Sequence, residues 1–359
     1  MTCDLAAFRS AVSQRAIASL DSVSWLIQSD LEEAVATEML EPARALLSGG
    51  KRTRAALLWA GYRCACAGPE DPALHAGAAL ELYQMSALVH DDVIDDSETR
   101  RGLPAAHTAF RTRHATNNWL GSADDFGRAG AIILGDLLLS QSVAEFHEAA
   151  RLVDHSAGSL ALSQFVKMTV EVAFGQYLDI RAEHQPLADT STAIDTGLGV
   201  LRHKTASYSV EFPLTMGALL GGGSPDLADR LRHIGRPLGE AFQMRDDDLG
   251  IFGDPLLTGK PACGDIAEGK RTILLALTRE LAPSADREWL DGTLGQQIDD
   301  ADVSRIRRIV TESGARAQHE RMIDEREEQA RAALAELPAL GEGIELLREL
   351  VNEFAGRRF

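Results

Sequence analysis

Two aspartate-rich clusters, at residues 90–96 and 242–250, carry the side chains most suited to chemistry. In the first, Asp91 and Asp95 are one turn apart and would share one face of a helix. Both clusters lie in apolar, helix-forming sequence, where an unpaired carboxylate is energetically unfavourable. Mg²⁺ relieves that penalty, and it usually binds one or two carboxylates together with substrate phosphates. We therefore expect a metal-bridged phosphate ligand between two helices.

The first cluster alone also fits a solvated acidic turn. Three observations favour a metal site instead. The preceding residues 85–89 are mainly apolar, Arg100 and Arg101 follow at a distance suited to gripping phosphates, and a second acidic cluster is present. The interpretation as a phosphate site therefore rests on the combination of carboxylates and arginines.

The elements that must position these residues are predicted to be helices. Ala, Leu, Glu and Arg dominate, and alternating β-branched runs are scarce, which predicts an all-α fold. Breakers such as those at 48–50, 102–104 and 221–225 separate segments of helical length. We expect about ten to thirteen helices in one bundle, forming a single domain over residues 1–359. The polar stretch 111–128 is predicted to be a surface loop, and residues 284–359 are predicted to form C-terminal helices.

Composition excludes several classes of protein. The net charge of -18 and the pI of about 5.0 argue against a nucleic-acid binder, which needs a basic face. The four cysteines lack zinc-site spacing and indicate free thiols in a reducing cytoplasm. The first residues show no signal-peptide pattern, and no apolar run of 18 residues predicts a transmembrane segment. We expect a cytoplasmic protein.

Taken together, the motifs resemble those of trans-isoprenyl diphosphate synthases, the polyprenyl synthetase family. They follow the family's order across residues 49–270. The matching segments are Gly49-Gly50-Lys51-Arg52-Thr53-Arg54, His90-Asp91-Asp92 with Asp95, Arg100-Arg101-Gly102, Gly135-Asp136, Gly175-Gln176 with Asp179, Lys204-Thr205-Ala206, Phe242-Gln243 with Asp246-Asp247, Thr258-Gly259-Lys260, Gly264-Asp265-Ile266 and Gly269-Lys270. The resemblance implies one isoprenoid synthase domain, a helical bundle around a central cavity.

The resemblance also implies the reaction, in which isopentenyl diphosphate is joined head to tail to an allylic diphosphate. About three Mg²⁺ ions, with Lys and Arg side chains, would stabilise the departing diphosphate. By resemblance, Asp91 and Asp95 would hold two ions and Asp246 the third. Asp92, Asp247 and Asp265 would act on the metals through water or hydrogen bonds. Contacts to the allylic diphosphate are assigned to Arg100, Lys204 and Lys260.

The second diphosphate, that of isopentenyl diphosphate, is bound in the family without metal. The positions that match its site in this chain are Lys51, Arg54, Gln84 and Arg101, and Lys270 matches a further substrate-binding position. The paired glycines before Lys51 would free backbone N–H groups at a helix N-terminus for a phosphate. Side chains that match positions lining the reacting centre are Thr205, Tyr208 and Gln243. The released diphosphate would take the final proton, and His90 is expected to pack or hydrogen-bond beside the metal site.

The second acidic motif departs from the family pattern. Many members carry Asp-Asp-x-x-Asp there, whereas this chain has Gly250 at the last position and an additional Asp248 within the motif. The expected direct metal ligand Asp246 is retained. The departure therefore bears on how tightly the third ion is held and leaves the reaction class unchanged.

Product length is predicted from the residues that precede Asp91. Ala87, Ser86 and Tyr83 lie about one and two turns earlier and should face the growing hydrocarbon tail. The small Ala87 and Ser86 leave the first turn open, and Tyr83 could form a floor one turn deeper. This favours a twenty-carbon product, geranylgeranyl diphosphate. The alternative is that Tyr83 points elsewhere and another helix sets the length.

The sequence motifs also leave alternatives to elongation toward a twenty-carbon product. The alternatives are a synthase with a fifteen- or twenty-five-carbon product, a class I terpene cyclase, and a non-catalytic subunit of a heteromeric synthase. A cyclase usually lacks the Gly-Gly-Lys-Arg element, and a regulatory subunit typically loses metal ligands, whereas this chain has both features. The resemblance also implies a homodimer.

Overall fold

The computed structural model describes residues 4–23, 28–187, 189–254 and 262–355. These residues are mostly helical, and one short antiparallel hairpin pairs β1 (Thr99–Arg100) with β2 (Leu103–Pro104). The helices are Leu5–Asp21 (α1), Asp30–Leu47 (α2), Thr53–Ala65 (α3), Asp71–Ile94 (α4), Ala106–Thr116 (α5), Ala123–Arg151 (α6), His155–His184 (α7), the consecutive segments Thr190–Val200, Leu201–Glu211 and Phe212–Leu220 (α8), Pro225–Phe252 (α9), Gly264–Ala267 (α10), Ile273–Leu281 (α11), Ser284–Thr293 (α12), Asp300–Glu312 (α13), Ala315–Ala335 (α14) and Gly341–Ala355 (α15).

The predicted all-α class is confirmed. Within the described ranges the chain forms fifteen helices when α8 is counted once, which is more than the ten to thirteen expected. Short helices such as the four-residue α10 raise the number, because a single turn carries too little periodicity to be identified in the sequence.

The loop predicted over residues 111–128 was largely wrong. Helix α5 continues to Thr116 and α6 begins at Ala123. Ser122 caps α6, since its hydroxyl accepts a hydrogen bond from the backbone N–H of Asp125 at 3.2 Å. Asp124 and Asp125 then lie in the first turn, where acidic side chains interact favourably with the helix dipole. The polar residues are therefore the start signal of a helix.

Contacts group the chain into two compact units, Met1–Leu162 with Gly217–Gly223, and Ser163–Met216 with Ser224–Phe359. In the first unit, α1 packs into the core: Phe8 stacks on Trp59 with ring centroids 4.4 Å apart. Arg15 of α1 also pairs with the buried Glu145 of α6, with an Nη2–Oε1 distance of 2.6 Å. Helix α1 is thus an integral part of this unit.

Helix α6 is, among the described helices, the one whose length and composition would allow a membrane span. Only 39% of its most apolar 18-residue window is buried. Its inner face nevertheless belongs to the core of the first unit, where Leu134 and Leu138 cluster with Leu82 and Met85 of α4. We therefore assign α6 as a core helix.

In the second unit, α8 is interrupted by a π-helical stretch, Leu201–Glu211, between two α-helical segments. Such stretches are rare and often mark functional sites. Helix α9 approaches this stretch closely at Gly239. A Cβ added to Gly239 would lie 2.7 Å from the carbonyl oxygen of Ala206. Helices α9 and α14 pack around Met244 and Ile323, which are fully buried.

Candidate active site

The first acidic cluster lies at the C-terminal end of α4. Asp91 and Asp92 occupy its last turn, and Asp95 is the C-cap residue. The C-terminal end of a helix carries partial negative charge, which disfavours further anions there. Asp91 and Asp95 are half-buried, so their carboxylates remain partly accessible. A cation at this end of α4 would offset the charge of both the carboxylates and the helix.

Asp92 is fully buried and is held by Arg100. The Nε of Arg100 donates to Oδ1 of Asp92 at 2.8 Å, and its Nη2 donates to the same oxygen. Burial raises the pKa of Asp92, and the hydrogen bonds from Arg100 oppose that shift. The second oxygen, Oδ2, is buried and has no hydrogen-bond partner within the described residues. An oxygen of this kind would suit a bound metal ion or its water, so the carboxylates here fit Mg²⁺.

The two arginines after this cluster are placed by the hairpin. Arg101 and Gly102 form its two-residue turn, and both have positive φ, 55° and 74°. Two-residue hairpins of type I′ require this conformation at both central positions. Arg100, in β1, faces the carboxylates, with Nη2 3.6 Å from Oδ2 of Asp91. Arg101 turns the other way and donates from Nη1 to the carbonyl of Leu46 at 3.1 Å.

The cations predicted to bind the metal-free diphosphate gather near Gly50. Its φ is 108°, and a Cβ there would lie 2.8 Å from Nη1 of Arg52 and 3.0 Å from Nη1 of Arg101. Lys51 is exposed and Arg54, in the first turn of α3, is half-buried. Arg101 thus lies beside Gly50 together with Arg52, and Lys51 and Arg54 flank Arg52 in the sequence. Their roles in binding a diphosphate stay predictions. Gln84, also predicted for this site, is half-buried on α4.

The π-helical stretch of α8 carries three predicted residues, Lys204, Thr205 and Tyr208. The Nζ of Lys204 donates to Oδ2 of Asp179 on α7 at 2.6 Å. The helices touch at Gly175, where a Cβ would lie 2.2 Å from the backbone nitrogen of Lys204. Glycine is therefore required there to let α7 approach the lysine backbone.

The second acidic cluster lies near the end of α9. Asp246 is half-buried, whereas Asp247 is 8% exposed. Gln243 donates from Nε2 to Oδ1 of Asp247 at 3.0 Å, so the glutamine predicted for the reacting centre also orients this carboxylate. Asp246 is thus the more accessible of the two carboxylates.

Both departures from the family pattern have a structural explanation. The added Asp248 is 3% exposed and accepts two hydrogen bonds from Arg316 of α14, each 2.9 Å long. Its carboxylate therefore stabilises helix packing. At Gly250, a Cβ would lie 3.2 Å from Oδ2 of Asp265. The carboxylate of Asp265 thus lies beside the position where many family members place their last aspartate.

The remaining predicted residues are two lysines and the three side chains of α4 that are expected to face the growing hydrocarbon tail. Lys270 is half-buried and pairs with Glu268 at 2.5 Å. Lys260 lies outside the described residues. Tyr83 is 6% exposed, and Ser86 donates to the carbonyl of Gly135 on α6 at 2.8 Å. Ala87 is half-buried, and the roles of Tyr83, Ser86 and Ala87 in product length stay predictions.

His90 packs against α6, as expected. A Cβ on Gly135 would lie 2.3 Å from Nε2 of the imidazole, so this ring stacks directly on the glycine. The same nitrogen lies 3.3 Å from the carbonyl oxygen of Ile132. This contact explains why a glycine stands at position 135 of the Gly135-Asp136 motif.

Two buried residues near the predicted sites were not identified from the sequence. Glu81, 1% exposed on α4, faces the arginines described above. His319, fully buried on α14, lies close enough to Asp248 and Arg316 for their charges to act on it. A charged residue inside an apolar helix is the signal that could have identified Glu81.

Across the described part of the chain, no three His, Cys, Asp or Glu side chains converge into a metal site of their own. Mg²⁺ in phosphate-binding sites is commonly held by one or two carboxylates, with water and substrate oxygens as the other ligands. Asp91 and Asp95, at the end of α4, carry hard oxygen ligands of the kind that this requires.

Comparison with known proteins agrees with the resemblance seen in the motifs. The polyprenyl synthetase family model matches residues 36–312. A short chain isoprenyl diphosphate synthase from Methanothermobacter thermautotrophicus is 32% identical over 270 residues, 75% of either chain. A geranylfarnesyl diphosphate synthase from Aeropyrum pernix is 28% identical over 80% of this chain and 84% of its own.

Among solved structures, geranylgeranyl pyrophosphate synthase from Corynebacterium glutamicum, complexed with isoprenyl diphosphate and magnesium, is similar. It is 35% identical, with a TM-score of 0.90 over 99% of this chain and 100% of that one. The family match, the fold and the ordered motifs agree. The chain belongs to the polyprenyl synthetase family and is a prenyltransferase that elongates prenyl diphosphates.

Proposed function

We propose that this enzyme condenses isopentenyl diphosphate head to tail with an allylic diphosphate. The product that we propose is geranylgeranyl diphosphate. The observation that carries the proposal is the arrangement at the end of α4. There, two half-buried carboxylates, Asp91 and Asp95, adjoin a hairpin that places Arg100 toward them and Arg101 toward the Gly-Gly-Lys-Arg segment. The hairpin thus contributes Arg100 to a site suited to a metal-bound diphosphate and Arg101 to a second site suited to a diphosphate without metal.

The proposed division of roles follows from these environments. Bound Mg²⁺ would supply charge stabilisation for the departing diphosphate of the allylic substrate. Asp91 and Asp95 would hold two ions, Asp246 would hold a third, and Lys204 would orient the same diphosphate from the π-helical stretch. Thr205, Tyr208 and Gln243 would line the reacting carbons and favour the cation through their dipoles. In this proposal residues 1–359 form one isoprenoid synthase domain, and the residues that act on the substrates lie in its motif-bearing part, about 49–270.

The proposal is tested by incubating the enzyme with labelled isopentenyl diphosphate and allylic starters of five, ten and fifteen carbons. Label should enter a longer product only with Mg²⁺ present. Asp91→Asn should reduce kcat by about 100-fold or more, because one oxygen ligand loses its charge. Asp71→Asn is the matched control, since Asp71 is exposed in the first turn of the same helix. Equal activity of the two variants would contradict the metal-binding role.

A twenty-carbon product is proposed because Tyr83 is buried on α4 two turns before Asp91. The relatives differ in product: one is a geranylfarnesyl and another a geranylgeranyl synthase. Tyr83→Ala should lengthen the product by one or more five-carbon units, as sized after dephosphorylation. Met85→Ala, a buried truncation on another face of α4, is the control and should leave length unchanged. An unchanged product from Tyr83→Ala would remove this residue from the role.

We further propose a cytoplasmic homodimer. The second-unit part of α7 exposes apolar side chains at helical spacing, Val166, Val170 and Phe174, each more than half exposed. Residues four apart share one face of a helix, so these form a continuous apolar stripe that a second copy would cover. Val170→Glu should convert a dimer into a monomer in sedimentation experiments. Monomeric wild-type protein would contradict the proposal.

A further inference from the structure

The cation cluster near Gly50 is built around a buried carboxylate. Glu81 lies in α4 between Leu80 and Leu82, both fully buried. Its Oε2 is 3.3 Å from Nη1 of Arg52, and the side chains of Glu81 and Arg52 are only 2% and 3% exposed. Burying an ion pair this completely is energetically unfavourable unless further hydrogen bonds compensate for the lost water. The contacts of Arg52 provide that compensation.

Arg52 connects this carboxylate to three neighbouring segments. Its Nε donates to Oγ of Ser13 on α1 at 2.8 Å, and Nη1 donates to the carbonyl of Gly49 at 2.7 Å. Nη2 donates to the carbonyl of Leu47, at the end of α2. Arg52 itself adopts a left-handed conformation, with φ of 49°. Together these contacts fix the backbone from which Lys51 and Arg54 project.

Two further arginines share the field of Glu81. Burial raises the pKa of Glu81, and the charges of Arg52, Arg54 and Arg101 act in the opposite direction. Burial also lowers the pKa of Arg101, with Arg52 and Arg54 adding to that effect and Glu81 opposing it. Guanidinium groups held this close repel one another unless an anion lies among them. Glu81 provides that negative charge from the side away from solvent.

We propose that Glu81 is a positioning residue, which holds Arg54 and Arg101 together, through Arg52, for the diphosphate of isopentenyl diphosphate. This rests on the proposed function. The role has a counterintuitive consequence, because Glu81 is itself an anion close to an anion site. If it acted only through its charge, removing it would tighten diphosphate binding. If it acts by positioning the arginines, removing it weakens binding.

Glu81→Gln separates these two possibilities. We expect the KM for isopentenyl diphosphate to rise about 10-fold or more, because preorganised charge-assisted contacts are lost. The KM for the allylic substrate should change less than about twofold, since that diphosphate is assigned to other residues. Glu81→Asp, which keeps the charge, should restore part of the loss. A lower or unchanged KM for isopentenyl diphosphate in Glu81→Gln would overturn the inference.

Glu145→Gln is the matched control. Glu145 is also a buried glutamate of the first unit and also pairs with an arginine, Arg15 of α1. It should lower stability without raising the KM for isopentenyl diphosphate. If Glu81→Gln does not fold, Arg52→Lys carries the test, because it removes the guanidinium that joins Glu81 to the carbonyls of Leu47 and Gly49. An unchanged KM for isopentenyl diphosphate in Arg52→Lys would then overturn the inference.

A binding measurement separates this inference from the proposed function. Inorganic pyrophosphate is titrated into the full-length protein by calorimetry in the presence of EDTA, which leaves only metal-free sites. Wild-type protein should bind it, and Glu81→Gln should bind at least about 10-fold more weakly. Equal binding by both proteins would refute the positioning role even if the enzyme is active. Absence of prenyl transfer by the wild type would refute the proposed function instead.

Discussion

Replacing Arg316 with methionine tests whether the additional aspartate of the second acidic motif serves folding. The variant keeps most of the side-chain length but removes both donors to Asp248. The carboxylate of Asp248, with only 5% of its side chain exposed, would then be buried without its two 2.9 Å hydrogen bonds. The guanidinium of Arg316 also lies 3.6 Å from the ring centroid of Phe252, and that contact is lost too.

The expected loss follows from this geometry. Removing one partner of a buried ion pair costs about 3–5 kcal/mol, because the other charge stays buried and unpaired. The side chain of Arg316 is itself 38% exposed, so water weakens the pair, and we expect the lower end, about 3 kcal/mol. Asp248→Asn removes the buried negative charge itself, so it should lower the free energy of unfolding by only about 1–2 kcal/mol. The double variant should cost less than the sum of the two.

The assay is equilibrium unfolding in urea, with Mg²⁺ and pyrophosphate binding measured on the same proteins. Arg308→Met is the control, because Arg308 pairs with Glu312 on an exposed face of α13. Its loss should cost less than about 1 kcal/mol. A loss in Arg316→Met no larger than in this control would refute the structural role. The structural role would also be refuted if Asp248→Asn bound Mg²⁺ more weakly but kept the stability of the wild type, since Asp248 would then act on the metal.

Burial lowers the pKa of His319 to about 4, so it is neutral in the folded protein at neutral pH. Because the unfolded chain binds this proton near pH 6.5, the free energy of unfolding should fall by about 2 kcal/mol from pH 7 to pH 5. His319→Leu should flatten that slope in urea titrations, and an unchanged slope would contradict the assignment. Gly175→Ala should destabilise by about 1–3 kcal/mol, through contact with the backbone of Lys204. Gly199→Ala, with open space around it, should lack this loss in thermal unfolding.

The helical class and the ligand clusters could be predicted from the sequence because each rests on local patterns. Asp91 and Asp95 share a helix face by spacing alone, and Arg100 is close to them in the sequence. The breaker at 102–104 was predicted, but the hairpin that turns at Arg101 and Gly102 was not, although a glycine at the second turn position is a known hairpin signal. The sequence therefore indicated which residues meet and left open how each of them points.

Side-chain partners distant in the sequence could not be predicted. Asp248 finds Arg316 on a helix 68 residues later, and Glu81 finds Arg52 across 29 residues. Both depend on which helices pack together, which periodicity does not specify. Polar cap residues were misread for the same reason, since Ser122 is a helix start only once α6 is known to follow.

The most direct test of the central claim is the mass of the product formed from farnesyl diphosphate, isopentenyl diphosphate and Mg²⁺. We predict a single added unit, giving a twenty-carbon all-trans diphosphate, and no product in EDTA. A product of different length would retain the elongation chemistry and contradict the assignment of Tyr83. A cyclic hydrocarbon, or no conversion of any allylic starter by folded enzyme with Mg²⁺, would contradict the claim that this protein elongates prenyl diphosphates.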